Sequence, residues 1–326
     1  MKQTSRKARG RKIMRGTWFT AGHLVSAGLA LVLLTLSCAA PTQGQKSFTT
    51  PEDAVRALGQ AAKSGNETDL LALFGPDGSK VLTSGDPVDD KRSREVFTVA
   101  YEEGNRIEAE SAEKSVLYIG NEDWPFPIPI VKTSGQWRFD TAAGADEVLN
   151  RRVGRNELST IQVCLAYMEA QKDYASAGHD GKPAGLYAPK LVSEPGKHDG
   201  LYWKASEGEP PSPLGELAAE AATEGYARSE GKSTPFHGYY FRILAAQGKP
   251  APGGAKSYIA NGEMRDGFAL VAYPAEYDNS GVMTFIVSKE GVVFEKDLGA
   301  ETPKLAGEMS EYSPDETWRR ASVPEE

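Results

Sequence analysis

The chain has 326 residues, enough for one or two domains once a targeting segment is set aside. Hydrophobic residues make up 40% and charged residues 25%, ordinary for a soluble protein with a core, while 34 Gly and 20 Pro argue against a compact helical bundle. The net charge of −8 becomes −15 without the first 37 residues, a balance unsuited to binding nucleic acid or anionic lipid heads.

Those 37 residues stand apart. Lys2, Arg6, Lys7, Arg9, Arg11, Lys12 and Arg15 precede an apolar run from Ala21 to Leu36, which ends in Ser37, Cys38, Ala39 and Ala40. A basic region, an apolar core shorter than a membrane span and a small-residue exit are the parts of a secretory signal peptide. Leu36-Ser37-Cys38 resembles a bacterial lipobox and makes Cys38 the lipidation candidate, with a polar tether after it (Pro41 to Ser47). Thr35 departs from the usual Leu, and ordinary cleavage after Ala39 or Ala40 is the alternative. The expected divisions are 1–38 signal peptide, 39–47 tether, 48–143 first domain, 144–322 second domain and 323–326 tail.

The first folded segment opens with Thr50-Pro51-Glu52-Asp53, an N-cap, a Pro at the first helical position and a carboxylate three residues after the cap. Val55, Leu58 and Ala62 give its inward stripe. A second helix runs through Leu70 to Phe74, an exposed acidic loop is expected around Asp86 to Asp90, and a third helix passes through Val96 to Tyr101. Then the period changes to that of strands: Ile107 to Ile119, Ile128 to Lys132, and Gln136 to Asp140 after a Thr133-Ser134-Gly135 turn. Helices followed by a curled antiparallel sheet resemble the nuclear-transport-factor-2-like fold. That likeness implies a concave pocket lined by Trp124, Phe126 and Trp137, beside the plainer reading of these aromatics as core.

From Asp146 to Ala177 the pattern is one long helix. Leu149, Val153, Leu158, Ile161, Cys164, Leu165, Met168 and Ala175 return at steps of three and four, and Arg151, Arg152, Arg155, Asn156, Glu157, Gln162 and Gln171 are placed on a wet face. Gly154 predicts a kink or a break into two helices. A loop-rich stretch, a short helix from Leu214 to Tyr226, antiparallel strands at His237–Leu244, Gly267–Pro274, Val282–Ser288 and Val292–Lys296, and a helix from Thr302 to Met309 complete the second part. The expected class is α+β, with the second part similar in plan to a type IV pseudopilin: a long helix packed on an antiparallel sheet.

Candidate chemistry is sparse. Gly225 to Ser233 approaches a phosphate loop, yet has five residues between the glycines where four are needed, and it follows a helix. His179-Asp180-Gly181 and His198-Asp199-Gly200 form an internal echo, read as two turns with aromatic anchors or as a His/Asp metal site. Cys164 reads as a small buried hydrophobe. No catalytic constellation, cofactor motif or metal set is read from the residues, and the protein partner is open.

Several segments carry a more specific resemblance: Trp124-Pro125-Phe126-Pro127, Arg152-Val153-Gly154-Arg155-Asn156-Glu157, His198-Asp199-Gly200-Leu201-Tyr202-Trp203, His237-Gly238-Tyr239-Tyr240 and Gly267-Phe268-Ala269-Leu270. They are similar to a bacterial exported-protein family, the domain of unknown function 2950 family. The resemblance implies export and a two-part body and transfers no functional residue. The resulting reading is an exported cell-envelope protein, periplasmic or membrane-anchored through a lipid on Cys38, that acts as a non-enzymatic binding or scaffold lipoprotein. The alternative is a small-ligand binder or enzyme using the pocket of Trp124, Phe126 and Trp137.

Overall fold

The computed structural model describes residues 44–226 and 234–322. The expected signal peptide and Cys38 lie outside them, as does most of the Gly225 to Ser233 stretch. Among the described residues no helix is long and apolar enough to cross a membrane.

Helix α1 (Pro51–Ser64) starts where the Thr50 side chain accepts from the Asp53 amide and ends at Gly65, whose φ of 65° suits the left-handed cap. Helices α2 (Glu67–Phe74), α3 (Gly78–Leu82) and α4 (Pro87–Glu103) follow. The expected acidic loop is not exposed. Asp86 is 1% exposed and serves as the N-cap of α4, accepting from the amides of Val88 and Asp89. A carboxylate at a helix start gains both those bonds and the dipole, which is why the loop closed inward.

A five-stranded antiparallel sheet then forms from β1 (Asn105–Ser111), β2 (Lys114–Ile119), β3 (Trp124–Pro125), β4 (Ile130–Thr133) and β5 (Gln136–Phe139), in the order β1-β2-β4-β5 with β3 paired to β2. Its inward side chains, Leu117, Ile119, Ile130 and Phe139, close on Val55, Leu58, Leu73 and Phe74 of the helices.

Helix α5 (Thr141–Ser176) is 36 residues long, roughly 54 Å at the standard rise. It begins five residues earlier than the apolar period suggested, because the Asp140 side chain caps it by accepting from the Ala143 amide. The expected break is absent. Gly154 is exposed, with open space where a Cβ would stand, so it stays helical without a packing demand. The expected wet face is also corrected: Arg152, Asn156 and Gln171 are 7%, 1% and 0% exposed, whereas Leu158 is 49% exposed. These polar groups turn inward onto backbone carbonyls that they hydrogen-bond. Arg152 donates to the oxygens of Lys80 (3.2 Å), Val81 (2.9 Å) and Thr83 (3.1 Å) at the end of α3 and to Asn279. Gln171 donates to Ala188 O at 2.8 Å and accepts from its amide at 2.9 Å.

After α6 (Gly215–Glu224), the second sheet runs β14 (Arg319–Arg320), β13 (Phe294–Asp297), β12 (Met283–Ser288), β11 (Ala269–Pro274), β6 (Tyr239–Leu244), all antiparallel. Two small hairpins, β7 (Ala246–Gln247) with β8 (Lys256–Ser257) and β9 (Ile259–Ala260) with β10 (Glu263–Met264), fill the connection from β6 to β11. Helix α5 packs on β11 and β12, and α7 (Thr302–Glu308) packs on β11. Arg242 reaches the α7 side, donating to the Ala306 and Met309 carbonyls at that helix's carboxyl end. The core here is Ile161, Cys164, Tyr167, Leu270, Phe285 and their neighbours. The class is α+β, with two apolar clusters that α5 passes in succession.

Candidate functional site

An apolar concavity lies between α5, α6 and the second sheet. Val163 and Tyr167 of α5, with Phe241 and Leu270 of the sheet, form its floor. Leu191, Val192 and Tyr202 form a side wall, Leu214 with Leu217, Ala218 and Ala221 of α6 form the roof, and Phe236 stands at one end. Its volume is about 190 Å³. A concavity of this size, lined by aliphatic and aromatic carbon, accepts a ring-sized apolar group and offers a charged ligand no partner.

The roof is lightly held. No residue of α6 is fully buried. Its first turn is tied by the Leu214 amide to Leu201 O at 3.0 Å, and Gly225, at φ 99°, closes its last turn. Beyond that cap the ties are polar. Tyr226 donates its phenol proton to Asp86 Oδ2 at 2.8 Å, and the Gly238 amide donates to the same oxygen at 3.0 Å. Burial and the adjacent Asp86 carboxylate push the Tyr226 phenol well above its ordinary range, so it remains a donor at any physiological pH.

Phe236 and Tyr239 exchange backbone hydrogen bonds around His237 and Gly238, whose φ values of 48° and 74° are both positive, as a type I′ turn requires. The strand expected from His237 therefore starts at Tyr239, because His237 and Gly238 are taken up by the turn; Gly238 was its one local signal, since only a single apolar residue, Phe236, precedes the pair. The turn sets His237 against Glu224. His237 Nε2 is 3.3 Å from Glu224 Oε2, and the Arg92 guanidinium pairs with Glu224 Oε1. These three groups close the end of α6.

The sequence-derived candidates are dispersed. Phe126 is packed among Phe74, Phe97 and Phe139, at ring separations of 5.4–6.5 Å within that group. Trp137 is 9% exposed and exchanges backbone bonds with Phe48. Trp124 is 43% exposed with the Arg151 guanidinium 4.7 Å from its ring centre. None of the three lines the cavity under α6. The two His-Asp-Gly turns do meet: Asp180 accepts from the His198 amide at 2.8 Å, His179 stacks on Tyr174 at 4.0 Å, and both imidazoles contact the Trp203 ring. Asp199 is engaged by Lys190 at 2.7 Å, and among the described residues no group of His, Cys, Asp and Glu is arranged to hold a metal ion. Cys164 is fully buried, and desolvation pushes its thiol up to about 12.

The chain matches the family described as Protein of unknown function (DUF2950) over residues 45–321. It belongs to that family. No curated protein and no solved structure matches it. The family region takes in both apolar clusters and the cavity beneath α6. Within it, the Arg152 to Glu157 segment acts as a latch: beside the Arg152 bonds, Arg155 pairs with Asp89 at 3.1 Å, Asn156 donates to Ser280 O at 2.9 Å, and Glu157 accepts from the Val282 and Met283 amides at 3.0 and 2.9 Å. This segment positions the turn between β11 and β12 against the amino-terminal helices and does not face the cavity.

Proposed function

We propose that this chain is an exported cell-envelope protein that binds a small apolar group beneath α6 and leaves it chemically unchanged. The single observation that carries the binding role is the cavity of about 190 Å³, walled by carbon from four parts of the chain under a helix with no fully buried residue. Export is supported by the basic segment, the apolar run and the small-residue exit at Ser37 to Ala40, and lipid anchoring by Leu36-Ser37-Cys38.

Binding is tested by thermal denaturation with toluene. Saturating toluene is expected to raise the Tm of the wild-type protein, since any ligand of the native state alone stabilises it. Ala218→Trp, which fills the cavity from its roof, should fold and show no shift. An absent shift in the wild type, or an equal shift in both, would overturn the reading. Anchoring is tested by mass analysis of the mature amino terminus with and without globomycin. A terminus beyond Cys38, or an unmodified Cys38, rules out the anchor.

A further inference from the structure

Helix α6 stands between two hollows. Beneath it is the apolar concavity of about 190 Å³, and on its other side a cleft of about 650 Å³ separates it from α5, with Glu169 and Asp173 on one wall and Glu216 and Glu220 on the other. The inward stripe of α6, made of Leu217, Ala218, Ala221 and Glu224, is only half-buried. An element with so little apolar burial and free space beside it belongs to the low-stability end of a fold, from which moving parts are drawn.

The two ends of α6 are held differently. At the amino end the tie is to the second cluster: Leu214 packs against that core, and its amide donates to Leu201 O at 3.0 Å. At the carboxyl end the ties run to α4 of the first cluster and are polar. Glu224 pairs with Arg92, and Tyr226 donates to Asp86 Oδ2 at 2.8 Å. The Arg92 side chain is 48% exposed, so water competes for its bond to Glu224. No residue of α4 lines the concavity.

We propose that α6 is a lid over the apolar concavity: it turns about Leu214, and its carboxyl end is the one that releases, with Arg92 and Tyr226 as the fastening. Helix α4 thereby controls ligand exchange at a site to which it gives no wall. This assignment rests on the apolar-binding reading above and adds how the site opens.

The test uses the full mature chain with toluene. NMR exchange spectroscopy reads the association and dissociation rates, and amide hydrogen exchange reads the opening of α6 itself. Arg92→Gln and Tyr226→Phe, neither of which lines the concavity, are each expected to raise both rates about two- to fivefold, the scale of one partly exposed tie, with Kd held within about twofold. The α6 amides should exchange faster in both variants, while those of α5 around Cys164 keep their protection. Salt at about 0.5 M should bring the wild-type rates toward those of Arg92→Gln and leave that variant unmoved, because it screens the ion pair. Toluene that exchanges at wild-type rates in both variants overturns the lid. So does faster dissociation with unchanged association, which marks a damaged wall rather than a gate. Either result leaves the cavity reading standing. Wild-type protein that binds no toluene removes that reading and the lid with it, whatever the α6 amides do.

Discussion

Replacing Arg152 with methionine keeps an unbranched apolar stem of similar reach and deletes the guanidinium. In the native structure that group sits 7% exposed and supplies donors to the carbonyls of Lys80, Val81 and Thr83 and to Asn279. Burial lowers its pKa and the nearby Asp90 and Asp89 carboxylates oppose that shift, so the charge is held in place by the site. Its removal takes these donors from the carbonyls of Lys80, Val81 and Thr83, the last of which keeps Asn279 Nδ2, and takes a compensating charge from Asp90 and Asp89. At about 1 kcal/mol or more per lost bond, plus the uncompensated carboxylates, the cost is roughly 3–5 kcal/mol. For a body of this size that corresponds to a fall in Tm of roughly 6–15 °C. Urea titration followed by tryptophan fluorescence and by far-UV circular dichroism measures it. Because Arg152 joins the end of α3 to the β11–β12 turn, its loss is also expected to separate the two probes' midpoints. A loss below about 1 kcal/mol with coincident midpoints would show that the latch is made elsewhere.

Two glycines of α5 should respond in opposite directions. Gly154→Ala meets open space and is expected to stabilise by about 0.5–1 kcal/mol, whereas the added Cβ of Gly144→Ala would stand 2.7 Å from Ile128 Cα and Pro127 O and should cost about 1–3 kcal/mol; equal effects in thermal melts would contradict the helix's placement. Cys164, buried with its thiol raised to about 12, should resist a thiol reagent in native buffer and label fully in denaturant. Asp90 is held above the usual carboxylate range by burial, so its folded pKa exceeds its unfolded one and the ionised form costs stability at neutral pH. The stability of the wild type relative to Asp90→Asn should therefore rise as pH falls through the carboxylate range and level off below the ordinary value; a relative fall on acidification would show that burial does not disfavour the charged carboxylate.

Elements with strong local signals were legible from the sequence. Thr50-Pro51 announced α1, and the alternation around Leu117 and Ile119 announced β2, because capping and period-two burial are written in neighbouring residues. What failed is instructive in the same terms. Asp86, Arg152, Asn156 and Gln171 look like surface residues in any window of sequence, since the carbonyls, amides and hydroxyl they satisfy come from segments up to 152 positions away. The cavity was hidden for a similar reason: Val163, Leu217, Phe236 and Leu270 are each ordinary apolar residues of their own element, and only tertiary packing leaves a gap among them. The pairing of Glu224 with Arg92 and His237 had no sequence signal beyond a carboxylate in the last turn of a helix, where the dipole disfavours it.

The position of α5 in chain order also sets a schedule for synthesis. Its first turns complete a core whose partners, Phe74, Ile128 and Phe139, have already been made. Its later turns wait: Tyr167 closes on Ala269, 102 residues downstream, which takes on the order of 5–20 s to arrive at ordinary translation rates. Until then Ile161, Cys164 and Tyr167 stand without their sheet, on a helix whose other end is already anchored. A chaperone that holds this nascent chain would find its site on that half of α5.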